Sequence, residues 1–229
     1  MYTTDHSIHS LGRIRIAFAA LGGAWLASVA GYVDAVFYRL LAMPVTHVTG
    51  NAAALSADIA RGKELAAWRI IGLIGTFILG AALSGIIVGS PSLRSGRRYG
   101  IALTTEGILL AASALVYPHS AINAAYLAAG AAGLQNAMAS TYMGLIVRTT
   151  HLTGIATDIG FLIGCWVRGR KAQPWRLMLL LLLAAGFLVG AIAGTFAAGA
   201  MDAHSLWPVA ACVTAVGLAY YVWRVRRPN

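Results

Sequence analysis

Apolar residues run almost unbroken through six stretches of the chain, at about 14–40, 68–90, 99–117, 120–142, 175–200 and 206–224. Each is near the roughly 20 residues that a helix needs to cross the hydrocarbon core of a bilayer. Gly, Ala, Leu and Ile dominate them, and none alternates with period two, so the pattern predicts helices and not barrel strands. Two shorter stretches lie between them, at about 46–61 and 150–167. The first carries Thr46, His47, Thr49, Asn51, Ser56 and Asp58 and is too polar to face lipid. Such a segment persists at membrane depth only where protein buries it or where it lines a cavity. The pattern therefore reads as an all-α, polytopic membrane protein: six long helices plus two short re-entrant or half helices.

The order of these stretches repeats. Thr46-His47-Val48-Thr49-Gly50 returns as Thr150-His151-Leu152-Thr153-Gly154. Before each copy stands a Gly-x-x-[Asp/Asn]-Ala element, Gly31-Tyr32-Val33-Asp34-Ala35 and Gly133-Leu134-Gln135-Asn136-Ala137. After each comes a basic loop ending in Trp-Arg, at Trp68-Arg69 and Trp175-Arg176. Gly80-Ala81 with Gly89 matches Gly190-Ala191 with Gly199. Matching elements in matching order predict two diverged copies of one unit, about 14–117 and 119–224, within a single membrane domain spanning 1–229. Each copy has three long helices plus one short re-entrant or half helix. Gly186, Gly190 and Gly194 form a ladder of small residues at four-residue spacing, which lets helix backbones approach closely in lipid.

Composition supports a membrane solvent. Hydrophobic residues make up 59% of the 229 and charged residues 10%, where a soluble domain carries about a quarter charged. The net charge of +10 would raise nucleic acid as a partner for a soluble chain. Here the basic residues fall in short loops and tails with no aromatic-interleaved surface, so the charge reads as orienting the protein in the bilayer and no nucleic acid is expected. If both short segments cross fully, there are eight spans and parallel repeats, with 12 of the 17 Lys and Arg on the side of the termini. If both dip in and return, there are six spans and inverted repeats, with 13 of 17 on that side. The positive-inside rule places both termini in the cytoplasm either way and does not separate 12 from 13. The polarity of 46–61 favours six. Cys165 and Cys212 lack CxxC spacing and read as small apolar residues, neither disulfide nor metal pair. The apolar run ending Ala27-Ser28-Val29-Ala30 has a faint signal-peptide look, but cleavage there would remove a helix whose counterpart the second copy keeps. His6 and His9 sit in a polar tail, 1–12, read as disordered.

Gly31 to Ala35, Thr46 to Asn51, Gly133 to Ala137 and Arg148 to Gly154 together resemble the signatures of the YoaK-like family, uncharacterised bacterial inner-membrane proteins defined by a domain of unknown function. The resemblance spans roughly residues 14–224. It implies a multi-pass protein of the bacterial inner membrane with this paired architecture, and it brings no substrate. The family's Gly- and Phe-rich link between the two signatures is here Val36 to Val45, without glycine.

The candidate chemistry lies where polar residues meet the breaks between helices. Asp34 and Asn136, with Gln135 beside the latter, stand at matching points. An acid facing an amide across a repeat could hold one proton or one cation, or both could simply bond the broken backbone nearby. His47 and His151 each lie between threonines, Thr46 and Thr49 or Thr150 and Thr153, just before a short helix. Thr49 and Thr153 are placed to cap those helices, and the free N–H groups of a helix start attract anions. Asn51 follows the first motif. Asp58, Asp158 and Arg148 have the makings of structural ion pairs. Glu106 is the only Glu within a long apolar stretch and is a candidate proton carrier. Hydrolase, metalloprotease and P-loop motifs are absent, and neither a catalytic residue nor a cofactor nor a metal site is predicted. These features point to a protein that sits in the lipid bilayer and binds and moves a small solute of unknown identity, with association between copies left open. The alternative is a non-transporting membrane protein, a lipid-modifying enzyme or a scaffold subunit. The transporter reading expects Asp34, His47, Asn136 and His151 to converge on one buried polar cavity near mid-depth.

Overall fold

The computed structural model describes residues 13–89, 96–141, 149–170 and 174–226. They form α1 (Arg13–Leu41), α2 (Val48–Ala60), α3 (Glu64–Val88), α4 (Arg98–Val116), α5 (Ala121–Thr141), α6 (Leu152–Val167), α7 (Pro174–Met201) and α8 (Leu206–Arg226), with a 3₁₀ turn at Asp202–Ser205 between the last two. No strand occurs among the described residues. His6, His9 and Arg148 lie outside them. The six long and two short helices fall where the apolar stretches placed them, except that α3 starts earlier, directly after the turn that ends α2.

By length and apolarity, Ala20–Leu41, Glu64–Val88, Arg98–Val116 and the continuous stretch Pro174–Arg226 are able to cross a membrane. That last stretch is α7 and α8 together. α5 falls outside this set because alanine and glycine dominate it and Asn123, Gln135 and Asn136 dilute it. It can be less greasy because it meets protein and not lipid: Ala124, Ala125, Ala128 and Ala129 are fully buried.

Close glycine contacts fix the helix directions. A Cβ on Gly186, Gly190 or Gly194 would collide with the backbone of Ala24, Ser28 or Tyr32 in turn, so α1 and α7 run parallel. Gly72 meets the Tyr126 ring and Gly133 meets the Phe77 carbonyl, so α3 and α5 also run parallel. Gly100 meets Tyr221, Gly217 meets Thr104 and Gly107 meets Thr214, so α4 and α8 are antiparallel. Short turns reverse the chain from α4 to α5 and from α7 to α8. The six long helices therefore alternate in direction, and α2 and α6 each return the chain to the side it left. The central bundle is α1, α5, α4 and α8. α7 flanks α1, α3 flanks α5, and the short helices lean outside on α3 and α7.

The two short helices are built alike. Their N-terminal junctions are His47 (φ −100, ψ 76) and His151 (φ −94, ψ 62). Both end in an Arg-Gly pair with the glycine left-handed, Gly62 at φ 67 and Gly169 at φ 70. In each, the glycine N–H bonds the carbonyl three residues back, and the next N–H, of Lys63 or Arg170, reaches five back to Asp58 or Cys165. That is the Schellman stop, which needs φ > 0 at the residue after the cap.

The outer faces of α3 and α7 expose Ile71, Ile78, Leu79 and Ile86, and Leu188, Val189, Ile192 and Phe196. A continuous apolar surface of this kind is what lipid covers. Exposed Trp68 and Trp207 lie at helix starts on one side, and Trp166 and Trp223 at helix ends on the other. Indoles in two bands match the interfacial belts of a membrane protein.

Candidate functional site

α1 ends in the Leu41–Val45 break, where Ala42 takes φ 53, and the chain folds back on Asp34. The Asp34 Oδ1 accepts both the Thr46 N–H at 2.9 Å and the Thr46 hydroxyl at 2.9 Å. The Asp34 Oδ2 lies 3.0 Å from the His47 Nδ1. Asp34 is buried, at 8% exposure, so these partners replace the water it gives up. His47 lies outside the long helices, with 38% of its side chain exposed. The hydrogen bond that its ring donates to Asp34 raises its pKa, partly opposed by burial and supported by the carboxylate charge. Its ring stands edge-on to Phe187, 6.0 Å between centroids. Asn51, also buried, donates to the Pro44 carbonyl at 2.9 Å and pins the break from the other side.

The second motif repeats the plan with an amide. Asn136 Nδ2 donates to the Thr150 hydroxyl, and its Oδ1 accepts from the Thr149 hydroxyl at 3.2 Å. An amide satisfied on both sides offers His151 no anion. The His151 ring instead lies over Gly154, where a Cβ would collide with it. There it lines a groove of about 440 Å³ with Thr153, Thr157, Asp158, Leu180 and Leu183. Arg176 reaches across from α7 to Asp158 at 3.6 Å. Position 155, equivalent to Asn51, is a buried Ile.

Two expectations need correction. Neither short helix is capped by a side chain: the junction residues are His47 and His151, and no capping bond is made there. Thr49 and Thr153 are exposed within the first turn. The leading N–H groups of α2 and α6 are thus left for other partners. Nor do Asp34, His47, Asn136 and His151 meet in a single cavity. Gln135 Nε2 donates to the Leu26 carbonyl, which puts Asn136 beside the level of Leu26. Asp34 lies eight residues further along α1, about 12 Å at 1.5 Å per residue. The motifs form two sites on opposite sides of the α1–α5 crossing.

Glu106 is 1% exposed on α4, and its Oε2 has no hydrogen-bond partner. Ser113, seven residues on and so on the same helix face, donates to the Ala124 carbonyl of α5; Glu106 therefore faces α5. Asp58 is half-buried on α2. Among the described residues no three His, Cys, Asp or Glu side chains come together as a metal site. Thr149 and Phe187 belong to the sites without having been singled out. Thr149 carries no repeat signal, since Val45 stands before the first motif.

A second cavity, of about 160 Å³, lies in the half of the bundle that holds the termini. It is walled by Trp25 and Leu26 of α1, Tyr99 of α4, Met138 of α5, and Val216 and Tyr220 of α8. Its lining is apolar.

The model of a family described as "protein of unknown function (DUF1275)" matches residues 22–219. No curated protein and no solved structure matches the chain.

Proposed function

The chain belongs to this family of proteins of unknown function, and on that footing we propose that it is a multi-pass membrane transporter for a small solute, built from two inverted repeats. One observation carries the reading. Contacts made by one half are returned by the other: Gly31 on Phe187 by Gly133 on Phe77, Gly190 on Ser28 by Gly80 on Gly130, and Gly217 on Thr104 by Gly107 on Thr214. Exchanging the halves maps α1–α7 onto α3–α5 and reverses every helix. Repeats of opposite direction, each with a broken helix beside buried polar groups, are the build of secondary transporters.

The solute meets the motif turns, Asp34, Thr46, His47 and Asn51 on one side and Asn136, Thr150, His151 and Thr153 on the other. The uncapped starts of α2 and α6 suit the acceptor atoms of a polar solute. The groove at His151 supports this, since it reaches the surface and ends at the motif helix. Gln135 ties the two halves together beside the second site, and Glu106 is the proton carrier in this reading. In the six-span arrangement, 13 of the 17 Lys and Arg lie on the side of the termini, leaving Arg39, Arg61, Lys63 and Arg69 opposite. That bias puts both termini in the cytoplasm, and the resemblance to inner-membrane proteins suggests that membrane. The test is uptake into proteoliposomes, screened across metabolite classes. His151→Ala and Asp34→Asn should abolish uptake of any solute found while the protein remains inserted and monodisperse. Wild-type uptake by both variants would reduce the motifs to structural turns.

A further inference from the structure

The two halves return each other's contacts, but not everywhere. α4 packs along most of α5, whereas the equivalent pair, α8 and α1, touches only sparsely. The apolar cavity of about 160 Å³ lies in that sparse seam. The repeat register assigns its walls counterparts, and apart from Trp25, which goes to the half-buried Leu127, they are as follows. Asp34 pairs with Asn136, which sends Leu26 to Ala128 and Met138 to Val36. Gly107 pairs with Gly217, which sends Val216 to Glu106, Tyr220 to Leu110 and Tyr99 to Val209. All of these counterparts are buried: Val36 and Ala128 at 0%, Glu106 and Leu110 at 1%, and Val209 at 8%. The cavity is open in one half of the bundle, and its image in the other half is packed shut.

We propose that the α1/α8 seam and the α4/α5 seam open in turn, so that the cavity now formed beside Val216 closes and re-forms around Glu106 on the opposite side. This rests on the inverted-repeat transporter reading and deepens it. A sequence in which each half can adopt the packing of the other has two states of comparable energy, and a packed interface switches between them and does not deform continuously. Glu106 is what makes the exchange unequal. It stands where the open seam has Val216, and in the closed seam its Oε2 goes without a partner. An unmet buried carboxyl oxygen opposes closure, and opening the seam would supply water to it. No other charged side chain on the helices packed against α4 answers it: α3 has Glu64 and Arg69 at its start, α8 has Arg224 and Arg226 at its end, and α5 has none. Their remaining titratable groups are Tyr126 on α5 and Cys212, Tyr220 and Tyr221 on α8.

The test uses the full chain with Cys165 and Cys212 replaced by serine, in right-side-out and inverted vesicles, with a membrane-impermeant maleimide. Val216→Cys should react from the terminus side at least tenfold faster than Ala128→Cys reacts from either side. Bridging Gly22→Cys to Val216→Cys with a bifunctional maleimide too short to span the open cavity should hold the α1/α8 seam closed. A Cβ at Gly22 meets nothing within 4 Å, so that substitution is accommodated. After bridging, Ala128→Cys should gain at least tenfold reactivity from the opposite side, and Leu110→Cys, which does not enlarge a packed position, should do the same. Adding Glu106→Leu should suppress that gain by removing the unmet carboxyl that opposes closure of the α4/α5 seam. If both reporters stay unreactive after bridging, the exchange does not occur. Solute uptake without exchange overturns this inference alone, whereas exchange without uptake of any solute leaves the gate standing and removes the transporter reading.

Discussion

Asp34 and Asn136 stand at matching points and differ by one ionisable group, and that difference decides what each neighbouring histidine does. The carboxylate has an oxygen left after Thr46 is served, and it takes the His47 ring at 3.0 Å. The amide bonds Thr149 and Thr150 and carries no charge to draw the imidazole, and His151 lies over Gly154 and in the groove. Swapping the two groups tests this. Asp34→Asn should release His47, and Asn136→Asp should draw His151 off Gly154; crystallography or histidine NMR of the variants in nanodiscs reads both. The pair also has a pH signature. His47 has its pKa raised in the folded protein, so its contribution is complete below the ordinary histidine pKa and is lost as pH rises through the raised value. With the ring over a third exposed, screening limits the contribution to about 1 kcal/mol or less. Thermal midpoints of wild type should therefore fall slightly as pH rises through this window, and Asp34→Asn should flatten the slope; an unchanged slope in the variant rejects the pairing. The sequence made it legible that Asp34 and Asn136 meet broken backbone, because the spacing to each Thr-His motif repeats. It did not show that Thr46 serves Asp34 and leaves the helix start uncapped, since neighbouring threonines look equivalent until a distant carboxylate selects one.

At the scale of elements, the helices were legible because apolar length and polar interruption mark them directly. Their directions were not. Counting basic residues gives 12 or 13 of 17 for two opposite topologies, and only packing separates them. The same indifference to direction is why a single convergent site was expected: repeat-equivalent residues share a cavity only if they lie near the crossing of the halves, and Asp34 and Asn136 lie away from it on opposite sides. The Arg-Gly stops at Gly62 and Gly169 were in plain view as a further repeated signal. Substitution of a helical glycine should split by contact. Gly190→Ala puts a Cβ into the Ser28 carbonyl and should cost about 1–3 kcal/mol by overpacking. Gly75→Ala meets nothing within 4 Å and should be neutral or gain up to about 1 kcal/mol in helix propensity. Unfolding in mild detergent measures both, and equal effects would mean that α1 and α7 do not approach as described. Gly62→Ala and Gly169→Ala should each cost about 1–2 kcal/mol, since both force a Cβ into the left-handed region. Similar losses from the two are expected because the two stops are the same structure, and a loss from only one would break that equivalence.

For the whole molecule, the arrangement of long helices fixes which loops share a side, whatever the membrane. α1 and α3 run in opposite directions with α2 between them, so the Arg61–Arg69 stretch emerges where α1 ends, with the 117–120 turn and Asp202–Ser205. Arg13, Gly96 with the start of α4, Arg168–Arg170 with the start of α7, and the end of α8 lie together on the other side. In the proposed six-span arrangement the terminus side holds all but Arg39, Arg61, Lys63 and Arg69 of the basic residues, and the proposal that this side is cytoplasmic rests on that imbalance. Single cysteines at Lys63, His119 and His204 should therefore be labelled by an impermeant reagent added outside intact cells. Cysteines at Gly96, Arg170 and Arg226 should be labelled only after the cells are opened. His204 faces outside in both the six-span and eight-span arrangements, so it serves as the internal control. Lys63 and His119 are the discriminating positions, since both are cytoplasmic with eight spans. If both are protected while His204 reacts, α2 crosses the bilayer completely, the repeats are parallel, and the exchange of contacts between the halves is a coincidence of packing. If both react with it, α2 enters and returns on one side, as the antiparallel pairing of α4 with α8 requires.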